Sequence, residues 1–382
     1  MDAIDRRTFL AGAAALGGGV LLGGRAATAA ARPLAVGDSR PPLASEPGTL
    51  AILEWPGFEA SGTKAQTYGM LAGKEYTTAF GAKGLTYTPI LTDTQALDKA
   101  RSGAAFDLMH PGVENMRDYV DAGLVQPWDT SLLPSFKNLD PALTRRGRLN
   151  GKQYLIPWDW GFGSILYRTD KVGAADAKGW ELLWNARYRS RIALWDDAQS
   201  NFDVAGLYLG LPRIDAQTPG QVTRSKNALL RQKPLTRLYW KSEYHDMQPA
   251  FRAGQVWIAY GWQDSYVNMR NAGLKVEFME PRQGKLAWVR GFMLGAQTKS
   301  YYHAHRYVES FIDHAAAVQM VNLFYYGNAD ATIKSSEIKD KSLAKVLDVG
   351  NRHTFTSPDV HIQSWEQNAD EIQLAWRDVH PG

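Results

Sequence analysis

The chain has 382 residues, enough for two ordinary domains or one domain of two lobes, which excludes a small disulfide-stapled scaffold. It has no cysteine, which removes disulfides, Cys-ligated zinc, iron–sulfur clusters, a thiol nucleophile and a lipidated N-terminal cysteine together. With 45% hydrophobic and 21% charged residues it reads as a soluble globular protein, and a dispersed formal charge of +4 argues against a nucleic-acid binder.

The first element is an address. Arg6-Arg7-Thr8-Phe9-Leu10 precedes a Gly/Ala-rich apolar stretch over 10–22, then Arg25 and a small-residue run over 26–31. This reads as a twin-arginine export signal cleaved near 29–31. About 13 apolar residues fall short of the roughly 20 that span a bilayer, so stable membrane insertion is the weaker reading. The expected destination is the periplasm. Residues 32–48, with Pro33, Pro41, Pro42 and Pro47, read as a flexible leader.

The run Thr-Leu-Ala-Ile-Leu-Glu-Trp predicts a strand over 49–55, and a helix follows over 63–80. Further strands are expected at 85–91 and 106–109, and helices at 94–102 and 113–122. Such alternation predicts an α/β fold with a largely parallel sheet, whose ligands sit beyond the carboxyl ends of the strands. Residues 153–167 change character, being extended, aromatic and interrupted by Pro157 and Gly161, which suits a crossover between lobes. A second α/β region has strands at 190–195 and 255–260 and helices at 201–211 and 218–233. A return strand over 275–279, a second crossover over 281–289, a strand over 287–295 and a helical tail from 301, with a loop at 326–328, complete the chain.

Motif searches yield little for an enzyme. Ser61-Gly62-Thr63-Lys64 fits Ser-x-x-Lys, but its partner motifs Ser-Asp-Asn and Lys-Thr-Gly are missing. His303, His305 and His314 lack a His-Glu-x-x-His frame and read as solvated helix histidines, so neither metal nor cofactor is expected. There is no Gly-x-Ser-x-Gly elbow and no phosphate loop.

Aromatics and carboxylates instead arrive together at strand ends: Glu54-Trp55, Trp158-Asp159-Trp160, Trp195-Asp196-Asp197 and Tyr260-Gly261-Trp262-Gln263-Asp264. Tryptophan faces attract cations and cover methylene chains, and carboxylates anchor ammonium groups, so the set suits a small amine. The alternative is that each Trp packs in the core and each Asp caps the next helix, with Asp196 at a plausible capping position.

The crossover 154–161 with Leu166-Tyr167-Arg168-Thr169-Asp170-Lys171-Val172 resembles that of the spermidine/putrescine-binding proteins of ABC importers. Asp196-Asp197-Ala198, Gln232-Lys233-Pro234 before Tyr239-Trp240, Gly261-Trp262-Gln263-Asp264 and Phe324-Tyr325-Tyr326-Gly327-Asn328-Ala329 follow in the family's order. The resemblance implies a two-lobed type II periplasmic-binding fold with a ligand cleft between lobes. Lobe 1 would be 49–157 plus about 282–312, and lobe 2 would be 158–281 plus about 313–382. It implies a non-enzymatic, monomeric receptor that captures a small amine and delivers it to a permease. Trp262 and Asp264 match the family's Trp-x-Asp, Asp197 a ligand-facing acid, and Trp55, Trp240 and Tyr326 aromatic walls. Phe58 in the first loop and Asp159 in the crossover complete the candidate ligand-binding set.

Two departures stand out. Pro56-Gly57-Phe58 replaces a polar, acidic loop, and His110-Pro111-Gly112 replaces a Pro-Ser turn. A long polyamine would lose one carboxylate partner, so the cargo is expected to be shorter, singly charged or zwitterionic. A same-fold receptor for an amino-acid derivative, phosphonate or sugar, and a periplasmic glycosidase using two carboxylates, are the competing readings.

Overall fold

The computed structural model describes residues 46–47, 49–55, 58, 84–90 and 92–380. The export signal, most of the leader, the helix expected over 63–80 and the Ser61/Lys64 pair lie outside the described residues. Strand β1 (Leu50–Glu54) forms where the sequence offers a nearly unbroken apolar run, four of its five residues being buried. β2 (Leu85–Pro89) and β3 (Leu108–Met109) pair with it in parallel, β2 leading to β3 through the helix Asp93–Arg101. A short β4 (Val125–Gln126) and the hairpin β5 (Arg148–Leu149) and β6 (Lys152–Gln153) follow. The expected crossover is one 14-residue strand, β7 (Leu155–Arg168), with its first twelve residues buried.

The second parallel group is β8 (Ile192–Trp195), β9 (Thr236–Trp240) and β10 (Ile258–Trp262), followed by β11 (Val276–Phe278) and the long β12 (Lys285–Gly295). β13 (Gly327–Asn328) and β14 (Val360–Ile362) add short edges. The main path of the sheet runs β2-β1-β3-β12-β7-β10-β8-β9. β12 is antiparallel to both β3 and β7, so β1, β2 and β3 run in the direction of β7. β10 is antiparallel to β7, so β8, β9 and β10 run the other way. The carboxyl ends of the two parallel groups therefore point at each other along β7 and β12. Met109 lies level with Met293 and Leu155, and Trp262 lies level with Gly163. Seven residues of β7, 156–162, separate the two levels, and the seven steps from Leu286 to Met293 on β12 cover about 23 Å at about 3.3 Å per residue.

Trp158, Trp180 and Trp240 are among the largest fully buried side chains, each contributing on the order of 3 kcal/mol through burial. Several boundaries differ from the sequence expectation. β10 runs to Trp262 rather than stopping at 260, because Gly261 and Trp262 pair with Ser164 and Gly163 across the sheet. The helix expected at 201–211 is Ala198–Tyr208, started by Asp197, whose carboxylate accepts from Ser200 N at 2.8 Å. The cap is thus Asp197 and not Asp196. The leader ends pinned, since Glu46 accepts from Tyr302 N at 2.9 Å and His303 N at 3.1 Å at the start of the helix Tyr301–Ile312. His303 and His305 are each 1% exposed, so they are buried helix residues and not solvated ones.

Candidate ligand-binding site

The floor of the site is the stretch of β7 and β12 between the opposed strand ends. Alternation along β12 sends Ala287 and Val289 into the core and leaves Trp288 and Arg290 half-buried on the other face. The register sets Arg290 opposite Asp159 and Trp288 opposite Gly161. Gly161 is needed there, because a Cβ would collide with the Trp288 indole and stand 2.5 Å from Gln263 Nε2.

A chain of buried ionic hydrogen bonds runs through this floor. His110, just past β3, bonds through Nδ1 to Glu54 at 2.7 Å and through Nε2 to Asp159 at 2.8 Å. Asp159 takes Arg290 Nη2 on its other oxygen at 2.5 Å. Burial pushes the His110 imidazole down, but Glu54 and Asp159 outweigh it and raise the pKa to about 9. Burial likewise opposes ionisation of Asp159, and Arg290 with His110 overcomes it, holding that carboxyl below the usual range. For Glu54 burial wins and the pKa rises.

The Arg290 guanidinium is enclosed by rings. It lies 4.5 Å from the Trp288 centroid, 5.1 Å from Phe58, 5.3 Å from Trp55 and 5.9 Å from Tyr326. Phe58 stacks on Phe324 at 4.8 Å, and Trp55 Nε1 donates to the His110 carbonyl at 2.7 Å.

Above the floor, three carboxylates converge from both parallel groups. Asp93 opens the helix Asp93–Arg101 after β2 and accepts from Gly112 N at 3.0 Å. Glu114 follows in the turn Val113–Asn115, and Asp197 follows β8. Burial is the first cause that raises the pKa of each. For Glu114 the neighbouring Asp93 adds to it, bringing the value to about 8, and Asp197 raises both Asp93 and Glu114. Arg290 acts on Asp93 and Glu114 from the floor and opposes the rise.

Of the residues expected from sequence, Trp55, Phe58, Asp159 and Tyr326 meet around Arg290. Asp159 is 0% exposed, with one oxygen on His110 and the other on Arg290. Trp240 is 1% exposed and donates to the Tyr260 carbonyl, backing Trp262 edge-on at 5.1 Å instead of forming a wall of its own. Trp262 closes β10, half-buried and edge-on to Trp195 at 4.9 Å. Asp264, in the first turn of the helix Gln263–Asn271, is 0% exposed and accepts from Tyr244 Oη at 2.6 Å. The N-cap of that helix is Trp262, with no side-chain cap bond. Tyr326 feels burial and then Asp264, which raise its pKa well above the usual value. Sequence reasoning missed Arg290, Trp288, Asp93 and Glu114. The available signal was Trp288-Val289-Arg290, an aromatic and a cation two apart on an expected strand.

The class so defined is a two-lobed α/β fold in which two groups of strand ends face each other over β7 and β12. The sequence matches the family described as bacterial extracellular solute-binding protein over residues 72–344, and the chain belongs to that family. It is 25% identical over 230 residues to the spermidine/putrescine-binding periplasmic protein of Escherichia coli K12, a match covering 60% of this chain and 64% of that one. The chain thus spans slightly less than two thirds of that relative's length. With the putrescine-binding periplasmic protein PotF of the same organism it is 24% identical over 321 residues, covering 78% and 83%.

Among solved structures, the PotD lipoprotein of Treponema pallidum aligns with a TM-score of 0.71 at 15% identity, covering 87% of this chain and 100% of that one. MotA of Agrobacterium tumefaciens B6, solved with glucopine, aligns with a TM-score of 0.66 at 13% identity, covering 87% and 99%. These two likenesses concern the fold alone.

Proposed function

We propose that this chain is the periplasmic receptor of an ABC importer, that its two lobes close on a small ammonium-bearing solute, and that it delivers the solute to a membrane permease as a monomer. The lobes of this reading are 49–157 with about 282–312, and 158–281 with about 313–382. Family membership and the amine-binding names of the Escherichia coli relatives support it.

The observation that carries it is the convergence of Asp93, Glu114 and Asp197 from strand ends on opposite sides of the site. Asp197 raises the pKa of Asp93 and Glu114, and Asp93 raises that of Glu114 further, so the set is held in an unfavourable state that an entering ammonium group relieves. Trp262 covers the carbon chain, and Asp264, with Tyr244, forms the second acidic wall. Because the acids belong to both strand groups, a cation binds the closed arrangement better than the open one, which is the requirement for ligand-driven closure.

The test is a thermal-shift screen of the mature protein against amines, amino acids, sugars and phosphonates. A ligand at 100 times its dissociation constant adds about 2.7 kcal/mol, a shift of several degrees. Stabilisation by amines, alone or in amino acids, is expected; stabilisation by sugars or phosphonates alone refutes the amine. Export by the twin-arginine route is part of the same reading, and replacing Arg6 and Arg7 by lysine should hold the precursor inside the cell.

A further inference from the structure

We infer that the solute carries a carboxylate as well as an ammonium group, with the carboxylate seated on Arg290, Trp288 and Gln263 at the floor. The inference rests on the amine reading above and deepens it. Three buried N–H donors there have no acceptor among the described residues: Arg290 Nε, Trp288 Nε1 and Gln263 Nε2. They belong to one place. The guanidinium of Arg290 lies 4.5 Å from the Trp288 ring centroid. The Nε1 edge of that indole and the Gln263 amide nitrogen border the same space above Gly161.

The orientation of the Gln263 amide is set by chemistry, because its Oε1 accepts from Phe162 N at 2.9 Å and so turns the NH2 group toward the floor. Gln263 itself is 0% exposed, which leaves its amide with little access to water. Buried donors are satisfied in the great majority of cases, and each unsatisfied one costs about 1–3 kcal/mol. Asp159, the carboxylate beside Arg290, bonds His110 through one oxygen and Arg290 Nη2 through the other, and none of the three donors reaches it.

A diamine cannot serve these donors. Each of its ends brings only N–H groups, and the end at the floor meets a guanidinium of like charge. A carboxylate brings two oxygens with about four lone-pair positions, enough for all three donors. The two ends of such a solute then match the two chemistries of the site, donors on β12 and at the start of the helix Gln263–Asn271, acids at Asp93, Glu114 and Asp197. The loss of an acidic first loop at Pro56-Gly57-Phe58 points the same way, since a solute with one ammonium needs one acidic anchor.

The experiment is calorimetric titration of the whole mature protein with two series of three to six carbons, ω-amino acids and α,ω-diamines, 4-aminobutyrate and 1,4-diaminobutane being one matched pair. The best amino acid should bind at least about tenfold more tightly than the diamine of equal length, the equivalent of about 1.4 kcal/mol. Two variants locate the cause without touching the ion pair of Arg290. Gln263→Glu keeps the acceptor for Phe162 N and replaces the donor with a carboxylate oxygen, and Trp288→Phe keeps the ring and removes its N–H. Each should weaken the amino acid about tenfold or more while changing the diamine less than about threefold. Equal or tighter binding of the diamine, or equal losses for both series in the variants, overturns the inference and leaves the amine reading standing. Failure of both series to bind overturns both.

Discussion

Removing the His110 side chain tests the buried ionic chain at its centre. His110→Gln leaves one amide donor where two N–H groups of a cation stood, between carboxylates that are 1% and 0% exposed. Two routes give the magnitude. The folded pKa is raised from 6.5 to about 9, and each pKa unit is worth about 1.4 kcal/mol, so protonation contributes about 3 kcal/mol. Breaking a buried ion pair by deleting one partner costs about 3–5 kcal/mol, the same range. Because the folded pKa lies above the unfolded one, this stability is fully present below pH 6.5 and is lost as pH rises through about 9. Urea denaturation of both proteins between pH 6 and pH 9.5 is the assay. The wild type should lose about 3 kcal/mol more than the variant across that interval, the loss from raised acids such as Glu114 being common to both, and the variant should begin about 3 kcal/mol lower. A variant that shows the wild-type slope, or one as stable as the wild type at pH 6, would remove the imidazolium from the account.

Glu114, with a pKa of about 8, is largely protonated at pH 7, so an ammonium ligand should expel its proton. Affinity then rises from pH 6 to about 8, and the binding heat at pH 7 differs between phosphate and Tris buffers; a buffer-independent heat with a flat pH profile contradicts this. Asp264→Asn should weaken amine binding by about 30-fold or more, the usual cost of leaving a bound charge without its partner, with little change in melting temperature. Gly291→Ala should destabilise by about 1–3 kcal/mol, since its Cβ meets the Ile156 carbonyl of the paired strand and neither backbone can yield, as a melting curve will show. Gly112→Ala should keep most of its stability, because the atom its Cβ displaces is the movable Glu114 carboxylate, yet lose amine affinity in the same titration.

The parts of the molecule visible in the sequence are those set by neighbours along the chain. The run over 50–54 is a buried strand because it is apolar throughout, and the Pro- and Gly-broken stretch around Pro157 and Gly161 lies in a strand running through both groups. Strand-end aromatics and acids could be found the same way, since turns follow strands locally. The site's central cation could not. Arg290 matters because register places it opposite Asp159, 131 residues away, and local pattern carries no register between distant strands. The same limit explains the histidines. His303 is buried against Glu46, and His305 accepts from Asp129 N at 3.2 Å, partners that helix periodicity could not supply. Asp196 and Asp197 differ by one position, and which of them caps the helix depends on where β8 ends.

If the two strand groups close as proposed, the placement of Asp159 on β7 and Arg290 on β12 divides the site by how far its parts travel. In a rotation of one body about another, displacement grows with distance from the axis, and strands that continue through both bodies lie closest to it. In the closure proposed above, Arg290, Asp159, Trp288 and Gly161 would form a nearly stationary seat, whereas Asp93, Glu114 and Asp197 would ride on strand-end turns that swing. A solute anchored first at the seat would wait there for the acids to arrive. Substitutions in the seat should then act on first capture, and those in the turns on how long the closed form lasts.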